Sequence, residues 1–149
     1  MIGYNTDFYG FQKSIQPLLK KHHTKALILG TGGASKAIAY ALNDMKIEYK
    51  FVSRKVAENM FLYSMLTKEI MEEHTVIVNC SPIGTHPNIN ESPNIPYEFL
   101  TKNHLLFDLI YNPEETKFLA EGKKRGAIIK NGLEMLQLQA EKSWEIWNS

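Results

Sequence analysis

The stretch best equipped for chemistry is Leu27-Ile28-Leu29-Gly30-Thr31-Gly32-Gly33-Ala34. A short apolar run ends in glycine and passes directly into the alanine-rich segment 32–45. A strand that turns into a helix in this way leaves unpaired N–H groups at the helix start, and with the helix dipole they attract phosphate. In dinucleotide folds the first glycine permits the tight turn and the second lets the pyrophosphate approach the backbone. The third position of G-x-G-x-x-G is Ser35 here. A plain turn would also use glycines, so the placement between an apolar run and a helix carries the reading. Where NAD-binding chains put a carboxylate for the ribose 2′-hydroxyl, this chain has Ser53, Arg54 and Lys55, and the nearest acid, Glu48, precedes the run. A guanidinium and an ammonium suit a 2′-phosphate that a carboxylate would repel. The expectation is NADP rather than NAD, with a solvated basic turn as the plainer alternative.

Other reactive types are not arranged for chemistry. The five histidines, at 22, 23, 74, 86 and 104, have no metal-ligand spacing, so no metal is expected. Cys80 is a lone thiol with no base near it in sequence and reads as a small buried residue. Lys20-Lys21-His22-His23-Thr24-Lys25 reads as a solvated face.

Positioning these residues requires alternating elements. Residues 6–22 have apolar spacing near 3.6, with Phe8, Phe11, Ile15, Leu18 and Leu19 on one face, and Asn5, Thr6 or Asp7 available as a cap. Pro17 argues against an unbroken helix. Strands are expected at 25–30, 49–54, 75–81, 104–111 and 127–131, and Phe61-Leu62-Tyr63-Ser64-Met65-Leu66 could add a short one. Helices are expected at 32–45, at 115–126 and in the final segment, where Leu133, Leu136, Ala140, Trp144 and Trp147 share a stripe. Residues 67–74 read as a helix capped by Thr67, and 82–96, with four prolines, as loop. Such alternation predicts an α/β, Rossmann-like, doubly wound and mainly parallel sheet of about six strands, with helices on both faces.

A chain of 149 residues is one domain by length, with a core of its own. Its net charge of +1 gives no electrostatic case for nucleic acid or a membrane surface. It has no run of about 18 apolar residues, and no basic stretch followed by an apolar one at its start. With a single cysteine the expected compartment is reducing and cytoplasmic.

Six motifs in order, Gly3-Tyr4-Asn5-Thr6-Asp7, GTGGASKA from Gly30, VSR from Val52, VNCSPIG from Val78, DLIYNPEETKFL from Asp108 and NGLEMLQLQA from Asn131, resemble the shikimate dehydrogenase family, specifically its C-terminal NADP-binding domain. The resemblance runs from residue 3 to about residue 147. It implies an oxidoreductase that interconverts 3-dehydroshikimate and shikimate with NADP in aromatic amino-acid biosynthesis. It makes 1–24 the junction with an N-terminal substrate domain and 25–149 the cofactor domain. That substrate domain, which carries the family's catalytic lysine, would be absent, leaving a fragment inactive alone; a homodimer is allowed. Asp7 matches the catalytic, substrate-binding aspartate, and Tyr111 and Gln139 match residues that contact shikimate. Gly30, Thr31, Gly32, Gly33 and Ala34 match the phosphate loop. Ser53, Arg54 and Lys55 match the segment at the 2′-phosphate, with Ser53 where asparagine is usual. Asn79, Cys80 and Ser81 match a run beside the cofactor. Leu109 and Gly132 match positions at the nicotinamide half, and Met135 would either touch it or pack in the core. Two departures are Thr85 in place of the usual methionine and a short segment between the second and third strands. Other readings are a quinate-oxidising relative, a non-catalytic NADP-binding module, and another two-domain NADP enzyme such as methylenetetrahydrofolate dehydrogenase.

Overall fold

The computed structural model describes the backbone of residues 2–54 and 60–147 and the side chains of 7–54 and 60–145. In chain order the elements are α1 (Ile2–Ile15), β1 (Lys25–Leu29), α2 (Gly33–Asp44), β2 (Glu48–Ser53), β3 (Met60–Leu62), α3 (Lys68–Glu73), β4 (Val76–Asn79), β5 (Leu105–Asp108), α4 (Lys117–Lys124), β6 (Ile128–Lys130) and α5 (Leu133–Trp147). The six strands form one sheet in the order β3-β2-β1-β4-β5-β6, and every pairing is parallel. The doubly wound α/β architecture expected from the alternation is present, and the sheet is wholly rather than mainly parallel.

Side-chain alternation splits the core in two. Ala26, Ile28, Val76, Val78, Leu105 and Phe107 face one layer, with Phe11 and Ile15 of α1, Ile38 and Leu42 of α2 and Met135 of α5. Leu27, Leu29, Ile77 and Leu106 face the other, with Met71 of α3 and Phe118 and Leu119 of α4. All but one of these are fully buried or nearly so; Met135 is 4% exposed. Burying such side chains is worth about 1.5–3 kcal/mol each before entropy is counted, so the strands read as continuous apolar runs.

Two expectations change in the helices. The first helix begins at Ile2 and ends at Ile15, and Pro17 sits in a 3₁₀ turn at Gln16–Leu18. Asp7 is therefore in a helix interior, not at its cap, and the residues before it from Ile2 are helical too. On α5 the stripe of Leu133, Leu136 and Trp144 faces outward, at 43%, 39% and 68% exposure, and Ala140 is exposed with it. The side chain of Trp147 lies outside the described residues. The opposite face of α5 is turned inward because α1 crosses it closely. A Cβ on Gly10 would lie 2.6 Å from the Met135 carbonyl oxygen and 3.0 Å from Gln139 Cγ, so only glycine allows the approach.

The edge of the sheet where the strands begin is tied by two buried histidines, each closing its own local turn in the same way. The Lys20 N–H donates to His23 Nδ1 at 2.9 Å, and His23 Nε2 reaches the Asn103 carbonyl at 3.1 Å. The Thr101 N–H donates to His104 Nδ1 at 3.0 Å, and His104 Nε2 reaches the Met71 carbonyl at 2.7 Å. Each ring must be neutral, with Nδ1 accepting and Nε2 donating. Burial lowers both pKa values below 6.5, most strongly among the influences on each ring. As pH falls through 6.5 the unfolded chain takes up protons that the folded chain refuses, so stability rises with pH in that window. The contribution of the His104 ring, read by urea unfolding as the difference between the parent chain and a His104→Gln variant so that carboxylate titrations cancel, should therefore fall as pH drops from about 7 towards 5. NMR titration should place both histidines below 6.5; values at or above that would contradict the account.

Candidate functional site

The C-terminal ends of β1, β2, β4 and β5 meet on one side of the sheet, where the chain order reverses between β1 and β4. Clefts at such a switch point are where open α/β sheets bind ligands. Gly30 ends β1 with φ +99°, and its N–H is held by the Val52 carbonyl at 2.9 Å. A Cβ there would also lie 3.3 Å from the Ser81 nitrogen, so backbone geometry and space both favour glycine. Gly32 caps α2 without any side-chain hydrogen bond. Thr31, Gly32 and Gly33 are exposed, and a Cβ on Gly32 or Gly33 would meet nothing within 4 Å. Packing does not demand glycine at these two positions; they leave the bare first turn of α2 open to an approaching anion. A pyrophosphate fits this cradle. Ser35 is buried, and its hydroxyl donates to the Gly32 carbonyl at 2.6 Å. Ala34 follows, half-buried.

Arg54 and Ser53 line a cleft of about 710 Å³ together with Tyr63, Ile83, Ser92 and Lys117. Among the described residues no carboxylate stands within ion-pair distance of Arg54. Lys55 lies outside the described residues.

Asn79 is the hub beneath the loop that follows β4. It is paired in register with Asp108 on β5, so both side chains project from the same face. Its amide donates to Asp108 Oδ1 at 3.2 Å and to the Ile83 carbonyl at 3.4 Å. Its oxygen accepts from the Ser81 N–H at 3.1 Å and the Ser81 hydroxyl at 2.7 Å. Asp108 also accepts from the Thr116 hydroxyl at 2.7 Å and the Ile110 N–H at 3.1 Å. Thr116 in turn caps α4, accepting from the Leu119 N–H at 3.3 Å. Asp108 and Thr116 both fall within the DLIYNPEETKFL motif, but sequence gave neither a role. The partners of Asp108 depend on strand register. Burial raises the pKa of Asp108 to about 6, against the opposing pull of its three donors. Burial likewise pushes the Cys80 thiol far up, with Asp108 adding to it, so the thiolate is disfavoured there.

A second cluster joins α1 and α5. Gln139 Nε2 donates a short hydrogen bond to Asp7 Oδ1. Burial raises the Asp7 pKa, and this bond partly offsets the rise. Gly132 opens α5 against Leu109: a Cβ there would come within 1.9 Å of the Leu109 carbonyl oxygen. Met135 packs inside the core, and Tyr111 is half exposed, lining a separate shallow cleft with Thr85 and His86. Among the described residues no group of histidine, cysteine, aspartate or glutamate side chains converges as a metal site, and no helix is long and apolar enough to cross a membrane.

A parallel sheet in this order, with a glycine cradle at its switch point, defines a Rossmann-like dinucleotide-binding domain. No family profile matches the chain. Against curated proteins it is 36% identical to shikimate dehydrogenase (NADP(+)) from Clostridium botulinum strain Hall over 156 residues, covering 99% of this chain and 60% of that protein. The counterpart from Bacillus cereus strain AH187 is 34% identical over 163 residues, 99% of this chain and 58% of that protein. Among solved structures, a chorismate mutase/shikimate 5-dehydrogenase fusion protein from Clostridium acetobutylicum matches with TM-score 0.79 and 33% identity, over 96% of this chain and 54% of that one. The Thermus thermophilus shikimate 5-dehydrogenase in complex with NADP(H) and shikimate matches with TM-score 0.80 and 28% identity, over 95% and 56%. The chain is similar to shikimate dehydrogenases along nearly all of its length and spans about 60% of the length of the curated relatives it matches.

Asp108 gives this site a pH signature. Between about pH 4 and pH 6 the folded chain holds a proton that the unfolded chain has released, so this group's contribution to stability falls as pH rises through that window. Asp108→Asn removes the titration and keeps an oxygen acceptor. Relative to the parent chain, its stability should improve between pH 4 and pH 7 by up to about 3 kcal/mol. Parallel urea titrations check this, and a difference independent of pH would contradict it.

Proposed function

We propose that this chain is the cofactor-binding part of an NADP-dependent shikimate dehydrogenase. In this reading residues 25–149 hold the dinucleotide, and residues 1–24 lead from a substrate domain in the full-length protein. The observation that carries it is the open glycine cradle at the start of α2, set beside a cleft lined by Arg54 at the end of β2. The cradle suits a pyrophosphate, and Arg54 suits a 2′-phosphate, to which it can donate two parallel bonds. The curated relatives carry the name shikimate dehydrogenase (NADP(+)), and the Thermus thermophilus protein was solved with NADP(H) and shikimate.

Bound NADPH would supply the hydride that reduces the carbonyl of 3-dehydroshikimate to the hydroxyl of shikimate. The chain's own residues position the reactants. The Asp7 carboxyl, held by Gln139 and raised in pKa by burial, is suited to orient a substrate hydroxyl and assist its proton transfer. Tyr111, half exposed, and Gln139 offer further polar contacts to a polyhydroxylated ring. Leu109 and Gly132 fix the floor at the nicotinamide end, and Asn79 and Ser81 shape the loop beside the dinucleotide. The family's catalytic lysine would come from the substrate domain. A non-catalytic nucleotide module would have no use for the Asp7–Gln139 pair.

Side-by-side titration at fixed salt should show NADPH binding at least about tenfold tighter than NADH, with the preference lost in Arg54→Ala, since a charge-assisted bond is worth about 1.5–3 kcal/mol. Equal affinities would refute the assignment of Arg54. The chain alone should show no shikimate oxidation; vigorous turnover without a second domain would sink the two-domain reading.

A further inference from the structure

We infer that Lys117 is a specificity-determining residue of the cofactor cleft, a second cation that brackets the ligand's 2′-phosphate opposite Arg54. The inference rests on the NADP reading above and deepens it. Sequence patterning gave no reason to single out Lys117, because it follows Arg54 by more than sixty residues and lies on a different element.

Both residues line the same cleft of about 710 Å³, in the size range of a small-molecule pocket. Arg54 enters from the end of β2. Lys117 enters from the first turn of α4, beyond the proline-rich loop. Tyr63 and Ile83 line the same cleft, an aromatic and an apolar surface suited to a purine base. Tyr63 is close enough to Arg54 for the guanidinium to oppose the rise that burial imposes on its phenol. Of the lining residues Glu91 alone is acidic, so the cleft carries two cations against one anion.

The stem of Lys117 is anchored while its head is loosely held. The preceding residue, Thr116, is fully buried and bonded both to Asp108 and to the Leu119 N–H. Among the described residues the Lys117 ammonium makes a long contact to the Asn90 carbonyl at 3.5 Å. Among the described residues no carboxylate lies within ion-pair distance of it. An ammonium on a flexible stem rooted at a fixed point can swing onto a dianion that already touches the guanidinium of Arg54. The ligand class is a nucleoside bearing a phosphate on its ribose, as distinct from one with a free 2′-hydroxyl.

The test uses the whole chain with two probes, adenosine 2′,5′-bisphosphate and adenosine 5′-diphosphate, and three variants. Lys117→Gln should raise the Kd for the 2′,5′-bisphosphate about tenfold and leave that for the 5′-diphosphate within about twofold. Lys117→Arg, which keeps the charge, should restore most of the loss. If Arg54→Ala weakens the 2′,5′-bisphosphate while Lys117→Gln does not, the role given to Lys117 is overturned and the NADP reading stands. If the parent chain itself does not favour the 2′,5′-bisphosphate, both fall. Lys117 is exposed, so an unchanged thermal midpoint in the Gln variant separates lost binding from lost fold.

Discussion

The register between β4 and β5 is the constraint on which the site depends. It sets Asn79 beside Asp108 at the ends of two buried strands, on the same face of the sheet. A slip of one residue in either strand would turn that strand's side chain into the opposite layer and part the two. From that one pairing, hydrogen bonds run to Ser81 and Ile83 in the loop after β4 and through Thr116 to the start of α4. The same loop touches Gly30 at the end of β1. Three connections that would otherwise be independent are thus tied to one polar cluster under the cleft. A buried carboxylate is costly, and here three donors offset much of that cost.

A second constraint is steric. Gly10 and Gly132 are both positions where a methyl group would strike backbone oxygen. The first brings α1 onto α5, and the second seats the start of α5 against the end of β5. Together they place Asp7 against Gln139, although 132 residues separate the two in sequence. The pair is assembled by helix packing, with the sheet serving as a remote scaffold.

Much of this was legible in the residues. The apolar runs, the glycine turn and the Thr67 cap reported local preferences, and the fold kept them. The glycine loop and Arg54 stood out because the chemistry they suggest is written in consecutive residues. Asp108, Thr116 and Lys117 did not, because each acquires its neighbours from strand register or from a loop that folds back. The first helix was misplaced for a related reason. Asn5, Thr6 and Asp7 favour caps in isolation, yet α1 runs through them, and tertiary packing outweighs such a preference. The α5 stripe shows a different limit: periodicity identifies an apolar face without saying whether it meets the core, and the crossing at Gly10 decides that.

The glycines of this chain keep two different kinds of record. At Gly30, Gly10 and Gly132 a side chain is refused by the polypeptide itself, through backbone angle or collision. At Gly32 and Gly33 the folded chain would accept a methyl group without moving. Mutational drift filtered only through thermal robustness would be blind to those last two positions and could fill them freely. On the proposed reading a guest molecule seated against the backbone is what would keep them bare, so they would register what the domain carries, whereas the other three register how it is built.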